Sequence, residues 1–217
     1  MLVDVYSDVV CPWCYIGERR LAKALVNRPD LEAEVRWRPF QLQPGMPEGG
    51  LPWAEFARRK FGEDGAKTAF ARVVAAGKPD GIHFDLDQVA SAPNTVDAHR
   101  LILLAGDHGV QWRVADALFL AYFTEGRDLN DHEDLVAVAS GTGLGAEDVR
   151  EYLAGKAGVS EVHSSQEEAW QLGITGVPLF VFDGRYALYG AQPVEVFEQA
   201  LEAALGAGSA GQPREGV

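Results

Sequence analysis

The stretch Ser7-Asp-Val-Val-Cys-Pro-Trp-Cys-Tyr-Ile-Gly17 holds both cysteines of the chain, Cys11 and Cys14, three residues apart. Ahead of it, Leu2-Val-Asp-Val-Tyr6 alternates apolar and mixed residues and reads as a short buried strand. Behind it, Tyr15 to Val26 places Ile16, Leu21, Ala22 and Leu25 on one helix-like face. The cysteines therefore fall at a strand-to-helix turn. Pro12 stands near the first helical position, which suits its fixed φ and its missing N–H. A cysteine at that point faces unpaired backbone N–H groups and the positive end of the helix dipole. Both favour thiolate, the nucleophilic form of the side chain.

With no third cysteine, the only intramolecular bridge available is Cys11–Cys14. A bridge closing so short a loop adds little stability through chain entropy, so a structural staple is a weak explanation. Half of a zinc site would need two more ligands from His83, His99, His108, His132 or His163. Those histidines are scattered without paired ligand spacing, and no metal is expected. Thiol–disulfide chemistry explains the pair better than either.

Composition bounds the rest. A chain of 217 residues holds one large domain or two intimate ones, with ample core. Its 47% apolar and 24% charged residues are ordinary for a globular protein. A net charge of −13 argues against nucleic acid or an anionic membrane as partner. No apolar run approaches the roughly 20 residues that span a bilayer. The first strand begins at Leu2, which leaves no room for a secretory signal, and the expected location is the cytoplasm.

Along the chain, Val35, Trp37, Phe40 and Leu42 suggest a second strand over Glu34 to Arg38, stopped by Pro39. From Leu51 to Leu172 the texture is helical. The expected spans are Trp53–Phe61, Gly65–Ala76, Thr95–His108, Arg113–Thr124, His132–Ser140, Ala146–Ala154 and Ser160–Leu172. Asn94 ahead of Thr95 and Asp97 reads as an N-cap with an acid in the first turn. Strand texture returns at Leu179-Phe-Val-Phe182, then a hairpin signal at Asp183-Gly184, then Tyr186-Ala-Leu-Tyr189. A last helix is expected from Pro193 to Leu205. The pattern is β-α-β, a long helical stretch, then β-β-α. Strands from both ends should share one sheet, which makes the helices an insertion and brings Gly173-Ile-Thr-Gly-Val-Pro-Leu-Phe180 near Cys11.

At this point the chain resembles a known family. The layout looks like an α/β thioredoxin fold with a large all-α insertion, as in DsbA-type thiol–disulfide oxidoreductases. The closer resemblance is to their FrnE-like branch, related to 2-hydroxychromene-2-carboxylate isomerases and kappa-class glutathione transferases. It rests on Asp8-Val-Val-Cys-Pro-Trp-Cys-Tyr-Ile-Gly17, Trp37-Arg-Pro-Phe40, Asn94-Thr95 with Ala98-His-Arg100, Gly173-Ile-Thr-Gly-Val-Pro178 and Gly190-Ala-Gln-Pro193. The implied domains are residues 1–45 with 173–206 (thioredoxin-like), 46–172 (helical insertion) and a flexible tail, 207–217.

The resemblance implies that Cys11, at the exposed helix end, attacks, and that Cys14, one turn in and less accessible, resolves. Pro12 and Trp13 tune the pair. Trp13 cannot carry the positive charge of a histidine there, so the couple should be less oxidising than in histidine-containing relatives. Pro178 resembles the proline that is cis in thioredoxin folds and lies beside the active sulfur. The Val177 backbone next to it is placed to pair with an extended substrate. Trp13 and Tyr15 either face substrate or pack beneath the insertion. His99 is a candidate for proton transfer or binding from an insertion helix. Trp37, Phe40, Phe119, Phe123, Phe180 and Phe182 belong to the core. No acid suggests itself as the base for Cys14.

The implied function is exchange of disulfides with protein or small thiol substrates, with no cofactor, glutathione as a reductant, and a recycling partner that the sequence does not name. The isomerase and transferase relatives use serine where this chain has Cys11, so a glutathione-dependent isomerase is the competing reading. A non-catalytic binding protein is the third. Oligomeric state is not legible.

Overall fold

The structure, a computed structural model, describes residues 1–209. Its core is a four-stranded sheet in the order β2-β1-β5-β6. β1 (Leu2–Ser7) is central. It pairs in parallel with β2 (Glu34–Pro39), Val5 opposite Trp37, and antiparallel with β5 (Leu179–Phe182), Val5 opposite Phe180. β5 turns into β6 (Tyr186–Tyr189) through Asp183 and Gly184, at φ 48° and 65°. Two consecutive positive φ values give the hairpin twist that matches paired strands. Strands from both ends of the sequence thus form one sheet, a thioredoxin fold interrupted by helices.

Between β1 and β2 runs α1 (Pro12–Val26), which packs beside α8 (Val194–Ser209). Gly17 permits the close approach of α1 to β5. A Cβ there would lie 2.9 Å from Phe180 Cζ and 3.3 Å from Pro178 Cγ. The second strand runs through Pro39, one residue beyond the expected stop. β2 is an edge strand, where a residue lacking an N–H is tolerated.

The inserted segment opens with a two-stranded ribbon that periodicity did not announce, β3 (Leu51–Pro52) with β4 (Ser91–Ala92). Its helices are α2 (Trp53–Gly77), α3 (Val96–Asp107), α4 (Gln111–Phe123), α5 (His132–Ser140), α6 (Ala146–Ala154) and α7 (Val159–Gln171). Gly62, at φ 74° and ψ −176°, breaks α2 where the two expected helices meet. α3 starts at Val96, whose N–H is accepted by Asn94 Oδ1 at 3.0 Å. The last helix continues past Leu205 to Ser209, so residues 207–209 are helical. The rest of the expected tail, 210–217, lies outside the described residues.

One apolar cluster runs from Val3, Val5 and Phe180 of the sheet through Ile16 and Leu21 of α1 to Leu101, Leu118, Phe119 and Leu135 of the insertion. It crosses the expected boundaries at residues 46 and 172. The six aromatic residues assigned to the core, Trp37, Phe40, Phe119, Phe123, Phe180 and Phe182, are all buried.

Candidate active site

Cys11 is the N-cap of α1, with extended backbone at φ −97° and ψ 109°, and Pro12 follows at the first helical position. The Cys11 carbonyl accepts from Cys14 N at 2.9 Å, and its own N–H donates to Asp8 O at 3.0 Å. No acidic residue occupies the first turn of α1, so nothing in that turn cancels the positive helix end.

Both thiols are free and buried, Cys11 at 4% exposure and Cys14 at 1%. The expectation of an exposed Cys11 is therefore corrected. The Cys11 sulfur is covered by the loop before β5, where its thiol lies 3.8 Å from the Val177 carbonyl, and the Val177–Pro178 bond is cis. The two thiols are held unlike. Cys14 donates to the Cys11 sulfur, and together with the backbone N–H groups of Cys14 and Trp13 this outweighs burial and the nearby Asp8 carboxylate to bring Cys11 below the ordinary thiol range. Cys14 is pushed well above that range, first by burial and then by its role as donor to Cys11 and the charge there.

Asp8 is fully buried beside the pair. Its Oδ2 accepts from Leu42 N at 2.7 Å, which ties the β1–α1 turn to the chain leaving β2. Its Oδ1 lies 3.4 Å from Nε2 of the buried His99 on α3. The alignment is too poor for a hydrogen bond, and among the described residues neither atom has another partner. Tyr122 of α4 also feels Asp8: burial, then the Asp8 and Asp128 charges, raise its phenol. Its hydroxyl donates to Ser91 O at 2.9 Å.

Glu18 is a second buried acid, one turn beyond Cys14 on α1. Burial, with Asp116 nearby, raises its carboxyl to about 7, although the Trp112 indole N–H donates to it. Helical spacing was the available signal, since positions 14 and 18 share a face. Asp8 lies inside the Ser7–Gly17 stretch, but nothing local in the sequence marks its part in the site.

A cavity of about 340 Å³ opens beside Cys11. Cys11, Pro12 and Trp13 form one wall, with Trp53, Phe56 and Phe70 of α2 and Tyr122 and Phe123 of α4 around them. Trp13 is 37% exposed and faces this space. Tyr15 takes the other alternative. It is buried and stacks on Phe119 with ring centroids 5.1 Å apart, beneath the insertion. Pro12, Trp13, Val177 and Pro178 are thus brought around Cys11. His99 stands behind Asp8 and does not line the cavity. Among the described residues no three His, Cys, Asp or Glu side chains converge where a metal ion could sit.

Comparison with known proteins agrees with this geometry. The structure of a probable DsbA oxidoreductase from Streptomyces coelicolor superposes with a TM-score of 0.88 at 38% identity, covering 100% of this chain and 94% of that one. The cytosolic disulfide reductase DsbM of Pseudomonas aeruginosa, determined with GSH, has the same fold at a TM-score of 0.69 and 19% identity, over 94% and 99% of the two chains. YwbO, an uncharacterized protein of Bacillus subtilis, is 24% identical over 200 residues, 92% of this chain and 94% of its own length. The model of the DSBA-like thioredoxin domain matches residues 2–202. The chain belongs to the DSBA-like thioredoxin domain family.

Proposed function

We propose that this protein is a thiol–disulfide oxidoreductase that cycles Cys11 and Cys14 between dithiol and disulfide. The observation that carries the reading is the placement of two free thiols one helical turn apart at the N-terminus of α1, with Cys11 beside the Val177 carbonyl and lining the cavity while Cys14 lies one turn deeper. The lowering of Cys11 and raising of Cys14 accord with it. Cys11 thiolate attacks one sulfur of a substrate disulfide and expels the other as thiolate, leaving a mixed disulfide. Cys14 loses its proton and attacks the Cys11 sulfur, which releases the second substrate thiolate and closes the Cys11–Cys14 bond. Two electrons pass to the substrate, and the two protons of the dithiol go to the released thiols.

Formation of the mixed disulfide removes the negative charge on Cys11 that helps hold the Cys14 proton. The resolving thiol therefore becomes more acidic at the moment it is needed. Pro12 and Trp13 shape the approach, and the Val177 backbone beside Pro178 offers hydrogen bonding to a substrate. His99 acts through Asp8 and not by touching substrate. The main influences on Cys11 are Cys14, burial, Asp8 and backbone N–H groups, with no cation among them. This supports a couple less oxidising than one with histidine at position 13.

We place the protein in the cytosol, working as a reductase or isomerase with glutathione or another low-mass thiol as electron donor. No helix among the described residues is long and apolar enough to cross a membrane. The test is the redox equilibrium of the pair against glutathione, read by mass after alkylation. A reversible two-electron couple between Cys11 and Cys14 is the expected result. A pair that never bridges would overturn the proposal and turn attention to glutathione-dependent isomerisation or plain binding.

A further inference from the structure

Cys11 is 4% exposed, and it is one of the residues lining the 340 Å³ cavity. A substrate sulfur therefore reaches it through that cavity. The volume corresponds to about eleven waters at roughly 30 Å³ each, within the range of pockets that hold small molecules. A cystine loop of a folded protein would carry peptide N–H and C=O groups into walls that are largely aromatic and aliphatic. Each such group left without a partner keeps its full desolvation penalty.

The mouth has a distinct charge. Lys60 and Arg72, both exposed on α2, border the cavity, and among the described residues neither has a carboxylate partner. Lys60 Nζ lies 5.3 Å from the ring centre of Phe56 and 5.8 Å from that of Phe61, at the edge of the aromatic wall. Among the described residues the one acid in the lining, Asp8, already accepts from Leu42 N and faces His99. In a chain of net charge −13, two cations at one opening with no carboxylate partner among the described residues mark where a negative group would be held.

We propose that the substrate is a low-mass disulfide whose sulfur is borne by an aromatic body carrying a carboxylate. The ring lies among Trp13, Phe56, Phe70 and Phe123, and the carboxylate reaches Lys60 and Arg72 at the mouth. This rests on the oxidoreductase reading above and names its substrate. In the reduction, Cys11 thiolate attacks the aryl-borne sulfur, one aromatic thiolate leaves, and Cys14 displaces the second from Cys11. The Cys11–Cys14 disulfide that results is returned to dithiol by a low-mass thiol.

The test oxidises the reduced protein with four disulfides in stopped flow: dithiobis-nitrobenzoate (aromatic, anionic), dithiodipyridine (aromatic, neutral), hydroxyethyl disulfide (aliphatic, neutral) and insulin. Each rate is divided by that of the same disulfide with free dithiothreitol, which removes intrinsic reactivity. The normalised rates should fall in that order, with about tenfold between the aromatic and aliphatic compounds. Lys60→Gln and Arg72→Gln should each lower the nitrobenzoate rate relative to dithiodipyridine, by about two- to fivefold. Ala69→Phe, which fills the cavity from α2, should erase the aromatic advantage. Equal normalised rates for all four, or a preference for insulin, would overturn this inference and leave the oxidoreductase standing. Failure of every disulfide to oxidise the pair would remove the oxidoreductase reading itself.

Discussion

The edge of α1 and the turn just inside it are built from the same materials and behave differently. Each holds one buried cysteine and one buried carboxylic acid: Cys11 with Asp8 at the edge, Cys14 with Glu18 one turn in. At the edge the thiol receives a hydrogen bond and sits at the positive helix end, so it leans toward thiolate. One turn in, the thiol gives that hydrogen bond and is buried, so it keeps its proton. The acids divide likewise. Asp8 is anchored by a backbone N–H and bears on Cys11, whereas burial raises Glu18 to about 7 and it is not among the main influences on either thiol. Burial alone does not set a group's role; the donors around it do.

The sharpest way to break this contrast is to remove one sulfur at a time. Cys11→Ser should lower disulfide turnover by at least about a thousandfold, as expected for loss of a covalent nucleophile. Cys14→Ser should also stop turnover but accumulate a mixed disulfide on Cys11, visible by intact mass. Adduct on the wrong cysteine would reverse the assignment.

Glu18→Gln sharpens the comparison on the acid side. The folded carboxyl binds its proton up to about pH 7, against an ordinary value of 4.5, so the folded state holds more protons across that window. Stability should therefore fall as pH rises from 4.5 to about 7 and level off above, by on the order of 3 kcal/mol at most. In Glu18→Gln this contribution vanishes, which denaturant melts of both proteins at several pH values would reveal. The Cys11 titration should be unmoved.

Gly17→Ala probes how closely the turn is held to the sheet. The added methyl meets Phe180 at 2.9 Å and Pro178 at 3.3 Å. A cost of about 1–3 kcal/mol for overpacking outweighs a helix-propensity gain of about 1 kcal/mol. Thermal melts measure the balance, and an unchanged or raised Tm would contradict the tight packing. The smallest effect is expected from Asp8→Asn, which removes a negative charge near Cys11. Its thiol should titrate lower and the couple become more oxidising, measured against glutathione.

Much of this contrast was legible from residues whose signals are local. The strand Leu179–Phe182, the Asp183-Gly184 turn and the helices His132–Ser140 and Ala146–Ala154 fall where periodicity and turn chemistry set them. The β3–β4 ribbon escaped because two-residue strands have no period to read. Cys11 was expected to be exposed because a helix end ordinarily is; the Val177 loop that covers it comes from far along the chain. Asp8 and His99 carry no mutual signal in sequence, since only the packing of α3 against the β1–α1 turn brings them together. Lys60 and Arg72 look like ordinary surface charges until α2 is folded over the active-site turn.

One helical turn thus separates a thiol poised to attack from one poised to wait, a contrast open to direct measurement. It is tested most directly by alkylating the reduced protein across pH and following Cys11 and Cys14 separately by peptide mass. Cys11 should become reactive below the pH of an ordinary thiol, and Cys14 should resist until well above it. Two cysteines titrating together, or Cys14 reacting first, would contradict it.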